Sequence, residues 1–419
     1  MTDNSGASTG TPHAFQADVA RLLHLMVHSI YSDRDIFVRE LISNAADACE
    51  KLRYEALTQP GLIATEGGFA IKITVDEAHH RITIADNGIG MSHDDLVSAL
   101  GTIASSGTRA FLEKLSQADG EEKSKGAELI GQFGIGFYSA FMVADKVTVE
   151  TRKAGSQEAF VWESEGKGTY VTRPLPLDEA PLHGTRVTLH LNEEGRDYAK
   201  PGRLARIVRE HSSAIAIPVD VIEKDGEEPQ RAAEGSALWT RAKSDIKPEE
   251  YTDFYRSLAG QFDEPALTIH WRAEGRQEYH VLAFVPGSRP LDLFDPARKG
   301  RNKLYVRRVL ITQDANLLPS WLRFMRLVVD SSDLPLNVSR EMIQDSPVFA
   351  AIRKGIVNRI LQELTKTAES DPETFKTIWS HFGAVLKEGL YEDPERRDAL
   401  FKLAHFATSK NTDASRTLA

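Results

Sequence analysis

The sequence predicts an α/β sandwich in which helices pack on mixed sheets without a regular βαβ alternation. Residues 35–52 carry helical periodicity, with apolar positions every three or four residues. The next two apolar stretches, 69–75 and 81–85, alternate at period two around a short polar turn and predict a β-hairpin. Further strands of the same half are predicted at 146–152, 159–163 and 186–191.

A second set of elements follows the polar, glycine-containing stretch 224–235, which we expect to be a linker. Helices are predicted from Leu317 onward, after strands at 266–272, 279–285 and 303–311. The 419 residues are enough for two or three domains, each with its own core. The 41% hydrophobic and 27% charged composition is that of an ordinary globular protein.

The charge and cysteine content exclude several classes of function. A net charge of −10 argues against nucleic acid as a partner, since binding to phosphate backbones relies on a surplus of Lys and Arg. Cys49 is the only cysteine, which rules out an intrachain disulfide and a thiolate metal cluster. Residues 1–12 lack the features of a signal peptide, and the apolar run 129–144 is short and broken by glycines. We therefore expect a cytoplasmic protein with no membrane partner.

Three polar residues on the first predicted helix indicate a ligand site. Glu40, Asn44 and Asp47 are spaced i, i+4 and i+7, so a helix projects them from one face. Glu40 could orient or deprotonate a water that attacks a terminal phosphate, and Asn44 offers a hard amide oxygen to Mg²⁺. The alternative is a solvated acidic face, which is the usual reading of such a face alone.

Asp86 ends a predicted strand, where its carboxylate is partly shielded and can accept a hydrogen bond from an amino group such as that of adenine. Gly88 and Gly90 lack a Cβ and could let the backbone approach a flat base. Asp-Asn-Gly is also a common turn, so a purely structural role stays open.

A second glycine turn contains Gly131, Gly134 and Gly136 and leads into an apolar run that we expect to begin a helix. Backbone N–H groups at such a helix start suit phosphates; the alternative is a tight helix crossing. The polar stretch 107–129 before it is predicted to be a lid because of its position, although an inert surface loop would have the same composition.

Other nucleotide and metal signatures do not match. Gly166-Lys167 is followed by glycine, and Val161 stands where a Walker A motif needs its first glycine. Both Gly-Ile-Gly turns lack the third glycine of a dinucleotide fingerprint. His24 and His28 are four residues apart without the Glu of a metalloprotease motif, so we expect ordinary helix residues.

These residues carry a close resemblance to the Hsp90 family of chaperones over about residues 15–408. The matching strings are RELISNAADA, DNGIGM, GTIASSGT, IGQFGIGFYSAF, GTRVTLHL, LYVRRVLI and SSDLPLNVSREMIQDS. The resemblance implies a Bergerat-type (GHKL) ATP-binding domain at 13–223, with a lid at about 101–137, and part of an αβα middle domain at 236–419. It also implies an ATPase that uses ATP and Mg²⁺ and remodels unfolded or partly folded client proteins during folding and stress.

The resemblance implies roles for individual residues. Glu40 would be the catalytic glutamate, Asn44 the Mg²⁺ and phosphate ligand, and Asp86 the adenine-reading acid. Arg340 would reach the γ-phosphate after lid closure, with Gln344 one turn further along; without the resemblance Arg340 would be an arginine paired to a neighbouring acid. The other nucleotide-binding residues would be Asp47, Gly90, Met91, Gly131, Gln132, Phe133, Gly134, Ile135, Gly136, Phe137 and Thr185.

Two features depart from the family pattern. Ser105 stands where the family usually has Lys, and Ala99 where it usually has Asn, so we expect weaker ATP binding, with Arg109 as a partial substitute. Family members continue into a C-terminal dimerisation domain that forms the homodimer. The resemblance therefore implies a truncated chain with that domain absent, a monomer or weak dimer with slow ATP turnover.

Three alternatives stay open. A histidine kinase would need a phosphoacceptor histidine on a dimeric helical hairpin before the Glu40 helix, and few residues precede it. A MutL or gyrase role in DNA work would need a basic groove, which the acidic balance does not support. A nucleotide-binding module without hydrolysis would release phosphate at the same rate after Glu40→Ala.

Overall fold

The computed structural model describes residues 21, 33–63, 67–102, 130, 134–224, 226–295, 298, 301–336, 346–409 and 411–417. Within them the strands form an eight-stranded sheet, a five-stranded sheet and a two-stranded hairpin. Helices pack on both larger sheets, which confirms the predicted α/β class.

The first sheet contains the predicted hairpin at its centre. Its strands are β1 (Ile71–Asp76), β2 (Arg81–Asp86), β3 (Ala144–Arg152), β4 (Ala159–Ser164), β5 (Tyr170–Leu175), β6 (Gly184–Leu191), β7 (Pro218–Ile222) and β8 (Gln230–Glu234). Their order is β5-β4-β3-β6-β2-β1-β7-β8, with every neighbouring pair antiparallel except β1 and β7. Ile73 lies opposite Ile84 in the hairpin, so the alternation of both strands buries the same face.

Helix α1 (Ile36–Glu55) covers that buried face, together with α3 (Arg203–His211); α2 (His93–Gly101) lies between them in the chain. The buried apolar residues of α1 recur every three or four positions, at Phe37, Leu41, Ala45, Cys49 and Leu52. They pack with the inward residues of β1 and β2 in one core. Because each fully buried Leu or Ile contributes about 2 kcal/mol, this packing fixes which face of α1 meets the sheet.

The second sheet has helices on both faces. Its strands are β9 (Pro265–Ala273), β10 (Tyr279–Pro286), β11 (Lys303–Val306), β12 (Val309–Thr312) and β13 (Arg326–Ser331), in the order β12-β11-β13-β10-β9. Helix α4 (Pro248–Ala259) packs with Leu282 and Phe284 of β10. Val281 and Ala283 point to the opposite face, into the core formed with α5 (Pro347–Ser370), α6 (Pro372–Glu392) and α7 (Arg397–Leu403). The layers are those of an αβα sandwich, and the hairpin β14 (His405–Thr408) and β15 (Asn411–Thr417) follows α7.

Two sequence predictions of local structure are wrong, and a third holds only in part. The single strand expected at 303–311 is two strands, β11 and β12, joined by a turn at Arg307 and Arg308, which both have positive φ. Strand β13 occupies part of the region expected to be helical from Leu317 onward. The run expected to begin a helix after Gly136 is the 3₁₀ helix Gly136–Met142, so it lacks the longer α-helix that would build a macrodipole.

The stretch 224–235, expected to be a linker, carries β8, which pairs with β7 at the edge of the first sheet. Most of the predicted lid lies outside the described residues. No helix in the described part of the chain combines the length and apolarity that a membrane span requires.

Candidate functional site

Helix α1 buries the acidic face that the sequence singled out. Glu40 and Asp47 are each 2% exposed, and Asn44 is half-buried. Charged residues are seldom buried to this extent unless a partner or ligand compensates them. The solvated-face alternative is therefore wrong for this helix.

Glu40 lies against the second glycine turn. A Cβ added at Gly136 would come within 2.1 Å of Glu40 Oε2, so a side chain at this position would displace the carboxylate. The other oxygen, Oε1, lies 3.6 Å from Arg39 Nη2. The structure thus brings together two motifs that are 96 residues apart in the sequence.

Asp47 holds the backbone that enters the glycine turn. Its Oδ1 accepts a hydrogen bond from the N–H of Ile130, at 2.7 Å. Ile130 directly precedes Gly131, so this bond ties the start of the glycine segment to α1. One carboxylate oxygen of Asp47 is therefore engaged by the protein itself.

Asp86 is the last residue of β2 and, taken as a whole, is half-buried. Its Oδ1 accepts the N–H of Gly88 at 2.9 Å, and the backbone of Thr185, its cross-strand neighbour in β6, also favours the ionised carboxylate. Burial of the carboxyl group nevertheless raises the pKa of Asp86 to about 7, because it outweighs the lowering effect of these two backbone groups. Near neutral pH the carboxyl is thus close to its titration midpoint, and an amino group that donates to it would favour the ionised form.

The glycines after Asp86 make room for neighbouring backbone. A Cβ at Gly88 would lie 2.5 Å from the carbonyl carbon of Ala48 on α1, and the N–H of Ile89 donates to the Ala48 oxygen at 3.0 Å. Gly90 has a φ of 64°, and its Cβ would lie 2.0 Å from the Arg152 oxygen. We expected these glycines to let the backbone approach a base; the described contacts show an approach to α1 and β3.

Met91 and Thr185 meet through a residue that the sequence did not reveal. Thr151 Oγ1 accepts the N–H of Met91 at 3.0 Å, donates to the Gly184 oxygen at 3.0 Å and lies 3.1 Å from Thr185 Oγ1. Thr185 is also paired with Asp86 across β2 and β6. These contacts gather Asp86, Met91 and Thr185 at one end of the sheet, and their binding of a nucleotide in a shared pocket stays a prediction.

The described part of the glycine segment is compact. Gly134 has a φ of 69°, and Ile135 and Phe137 are buried. The Phe137 ring centroid lies 5.5 Å from that of Trp162, edge to face. The Phe137 side chain is therefore a core residue, and only its backbone is suited to contact a ligand.

Several predicted residues lie outside the described residues. They are Ser105, Arg109, Gly131, Gln132, Phe133, Arg340 and Gln344. Ala99 is half-buried in α2.

Two further residues beside the site escaped the sequence reasoning. His183 is 3% exposed, with Nδ1 3.0 Å from the carbonyl oxygen of Gly88. Arg39 Nη1 donates to the carbonyl oxygen of Leu310 in β12, at 3.4 Å, which links α1 to the second sheet. A single histidine or arginine in these contexts has no distinctive spacing that could have indicated its contact.

The donor set suits a cation that arrives with a phosphate ligand. Within the described ranges, no three His, Cys, Asp or Glu side chains converge as a metal cluster. Mg²⁺ prefers oxygen ligands and keeps several waters or phosphate oxygens, so the single amide oxygen of Asn44 is a fitting protein ligand.

A separate cleft of about 900 Å³ lies in the second half, between the segment after β12, the start of α5 and the α6–α7 junction. Its lining includes Phe349, Arg353 and Arg396, and none of the predicted site residues. This cleft lacks the buried carboxylates of the α1 site, which is why we assign the chemistry to the α1 site.

Comparisons with known proteins agree with this organisation. A family model described as histidine kinase-, DNA gyrase B- and HSP90-like ATPase matches residues 32–188. A model described as Hsp90 protein matches residues 220–419. The first match covers strands β1 to β5 and most of β6, and the second begins within β7 and covers β8 and the whole second sheet.

Curated relatives match along nearly the whole chain. The chain is 59% identical to Chaperone protein HtpG of Azorhizobium caulinodans over 411 residues, which is 98% of the chain and 64% of that relative. It is 59% identical to the protein of the same name from Mesorhizobium japonicum over 418 residues, 100% of the chain and 65% of the relative. For the Rhizobium meliloti protein the identity is 58% over 406 residues, with 97% and 64% covered. The chain thus spans about two thirds or slightly less of these relatives.

Proposed function

This chain belongs to the Hsp90 family, and from that premise we propose that it is an ATP-dependent molecular chaperone that acts in the cytoplasm. ATP and Mg²⁺ bind around Glu40, Asn44 and Asp86. Hydrolysis is coupled to lid closure and to a domain rearrangement that remodels unfolded or partly folded client proteins. The observation that carries the proposal is the contact between Glu40 and Gly136, because it sets a buried carboxylate against the turn proposed to bind phosphates.

Adenine recognition falls to Asp86. Its Oδ1 is held by the N–H of Gly88, so the carboxyl group cannot rotate freely away from an incoming base. A 6-amino group that donates to this carboxylate offsets the burial that raises its pKa. The pocket should therefore prefer a purine with that amino group over one without it.

Hydrolysis falls to Glu40 and Asn44. Glu40 accepts or orients a proton of the attacking water, and its buried position excludes competing solvent. Asn44 would hold Mg²⁺, which supplies charge neutralisation on the phosphate oxygens. The N–H groups of the glycine turn, including those of Ile135 and Gly136, would bind the phosphates.

Coupling to the second half would use Arg340 and Gln344, which the family resemblance places at the γ-phosphate after closure. A guanidinium that arrives only on closure stabilises charge that develops in the transition state, so hydrolysis waits for the conformational change. The bond from Arg39 to Leu310 supports such coupling, because it already joins the Glu40 helix to β12.

The test compares ATP affinity with phosphate release in the wild type, Glu40→Gln and a control, Glu77→Gln, in the exposed β1–β2 turn. We expect Glu40→Gln to keep ATP affinity within about threefold and to lose about 100-fold in phosphate release, the scale of a lost general base. The control should match the wild type.

If Glu40→Gln releases phosphate at the same rate as the wild type, Glu40 does not catalyse hydrolysis, and the proposal is reduced to a nucleotide-binding module. Absence of ATP binding by the wild type would reject the proposal altogether. The chaperone activity is measured separately, as ATP-dependent suppression of light scattering by a thermally unfolded protein.

A further inference from the structure

His183 is a buried side chain beside the Asp86 turn, and the proposed hydrolysis does not use it. It directly precedes β6, it is 3% exposed, and its Nδ1 lies 3.0 Å from the carbonyl oxygen of Gly88. Because a carbonyl oxygen can only accept, Nδ1 carries the proton and donates this hydrogen bond. The bond therefore places a proton on Nδ1 and fixes the orientation of the ring.

The second ring nitrogen, Nε2, shows that the imidazole at position 183 is not explained by packing alone. Nε2 of His183 is buried without a hydrogen-bond partner among the residues that the structure describes. A buried polar atom in that condition costs stability, and an apolar side chain would fill the space without that cost. The bond to the Gly88 oxygen is the polar contact that accounts for an imidazole at this position.

The Gly88 carbonyl belongs to the turn that orients the Asp86 carboxyl. The N–H of Gly88 donates to Asp86 Oδ1 at 2.9 Å, and the next peptide N–H, of Ile89, donates to Ala48 at 3.0 Å. The peptide plane that follows Gly88 is thus held through its oxygen by His183 and through its nitrogen by α1. Loss of the histidine donor removes one of these two restraints on the peptide plane.

The residues after His183 enclose the same turn. A Cβ added at Gly184 would lie 2.2 Å from the Asp86 carbonyl oxygen, and Thr185 is the cross-strand partner of Asp86. A displaced His183 ring would therefore change the orientation of Asp86. The predicted phosphate end of the site, at Gly136, is built from a different segment and should not be affected.

We propose that His183 is a positioning residue that holds the Asp86 carboxyl in the orientation that recognises the exocyclic amino group of adenine. It thereby sets selectivity for ATP over purine nucleotides that lack this group. The inference rests on the proposed ATP site. A ring that only fills space would instead affect all nucleotides equally.

Titration calorimetry on the whole chain, with Mg²⁺, compares ATP with purine riboside 5′-triphosphate, which lacks the 6-amino group. His183→Leu and His183→Asn form a matched pair, because both branch at Cγ and only asparagine keeps an N–H near the position of Nδ1. We expect His183→Leu to weaken ATP binding about fivefold, the scale of one neutral hydrogen bond. Its affinity for the analogue should change by less than about twofold, and His183→Asn should keep the wild-type ratio of the two affinities.

The inference would be overturned if His183→Leu leaves the ratio of the ATP and analogue affinities unchanged, whether or not both affinities fall. It would also be overturned if His183→Asn changes this ratio as much as His183→Leu does. A wild type that does not prefer ATP would reject recognition by Asp86 and this inference with it. A wild type that prefers ATP, with a leucine variant that keeps the preference, rejects the inference alone. If His183→Leu shows no cooperative melting, His183→Phe keeps a planar ring without a donor and has the same expected ratio.

Discussion

Replacing Gly136 by alanine should slow hydrolysis about 100-fold while leaving the fold nearly intact. The new Cβ would lie 2.1 Å from Glu40 Oε2 and 3.1 Å from its Cδ. Because non-bonded atoms normally stay about 3.5 Å apart, the carboxylate must move by more than about 1 Å. Gly136 is not among the positive-φ residues, so alanine adds no backbone strain. The clash is relieved by rotation of the Glu40 side chain, at a cost of about 1 kcal/mol.

A displacement of about 1 Å at a reacting group can lower the rate about 100-fold. Phosphate release at saturating ATP should therefore fall by about that factor in Gly136→Ala, while the ATP dissociation constant changes by less than about threefold. The matched control is Gly61→Ala, because no atom lies within 4 Å of the Cβ built there. In a Glu40→Gln background, Gly136→Ala should add little further loss, since both changes act on one carboxylate.

Wild-type phosphate release by Gly136→Ala would refute the reasoning that this contact positions the reacting group. A parallel loss of melting temperature and ATP affinity would show instead that the turn itself had collapsed.

Three further predictions follow from neighbouring contacts. Gly90→Ala should destabilise the chain by more than about 2 kcal/mol in urea unfolding, because its Cβ would meet the Arg152 backbone at positive φ; an unchanged midpoint would contradict this. Burial raises the pKa of Asp86 from 3.8 to about 7, so the native state binds more protons than the unfolded state between those values and stability falls as pH rises through them. Asp86→Asn should therefore raise the melting temperature more at pH 8 than at pH 4 and weaken ATP binding more than about tenfold; equal melting shifts at the two pH values would count against it. Arg39→Ala should slow phosphate release by about threefold to tenfold with little change in ATP affinity, because it removes the link from α1 to Leu310; unaltered release would exclude that role.

The central elements could be predicted because local patterns and tertiary packing agree there. The periodicity of α1 places Glu40 and Asp47 on the side that the structure buries, and the glycine spacing marks the turn that meets Glu40. The hairpin of β1 and β2 has the alternation expected when one face of a sheet is buried. Position on a helix and a need for glycine are both visible in sequence.

The wrong predictions of local structure concern elements that lack the usual sequence signal for a strand or a turn. Strand β13 is buried at all six positions, so it lacks the period-two alternation of a half-buried strand. The β11–β12 turn uses Arg307 and Arg308 at positive φ, where Asn-Gly is the usual signal, and an N–H bond from Arg308 to Asp330 supports it.

The missed site residues depend on contacts between distant segments. Thr151 gathers Met91 and Thr185 only because β3 and β6 are neighbours in the sheet. His183 reaches Gly88 across 95 residues of sequence. No local pattern encodes such register, so these roles become visible only once the strands are paired.

The most direct test of the account is a crystal structure of the chain with Mg²⁺ and a non-hydrolysable ATP analogue. We predict that the adenine amino group lies within hydrogen-bond distance of the Asp86 carboxyl and that the terminal phosphate lies between Glu40 and the N–H groups at Gly136. A nucleotide bound elsewhere, for example in the cleft beside Arg353 and Arg396, would contradict it.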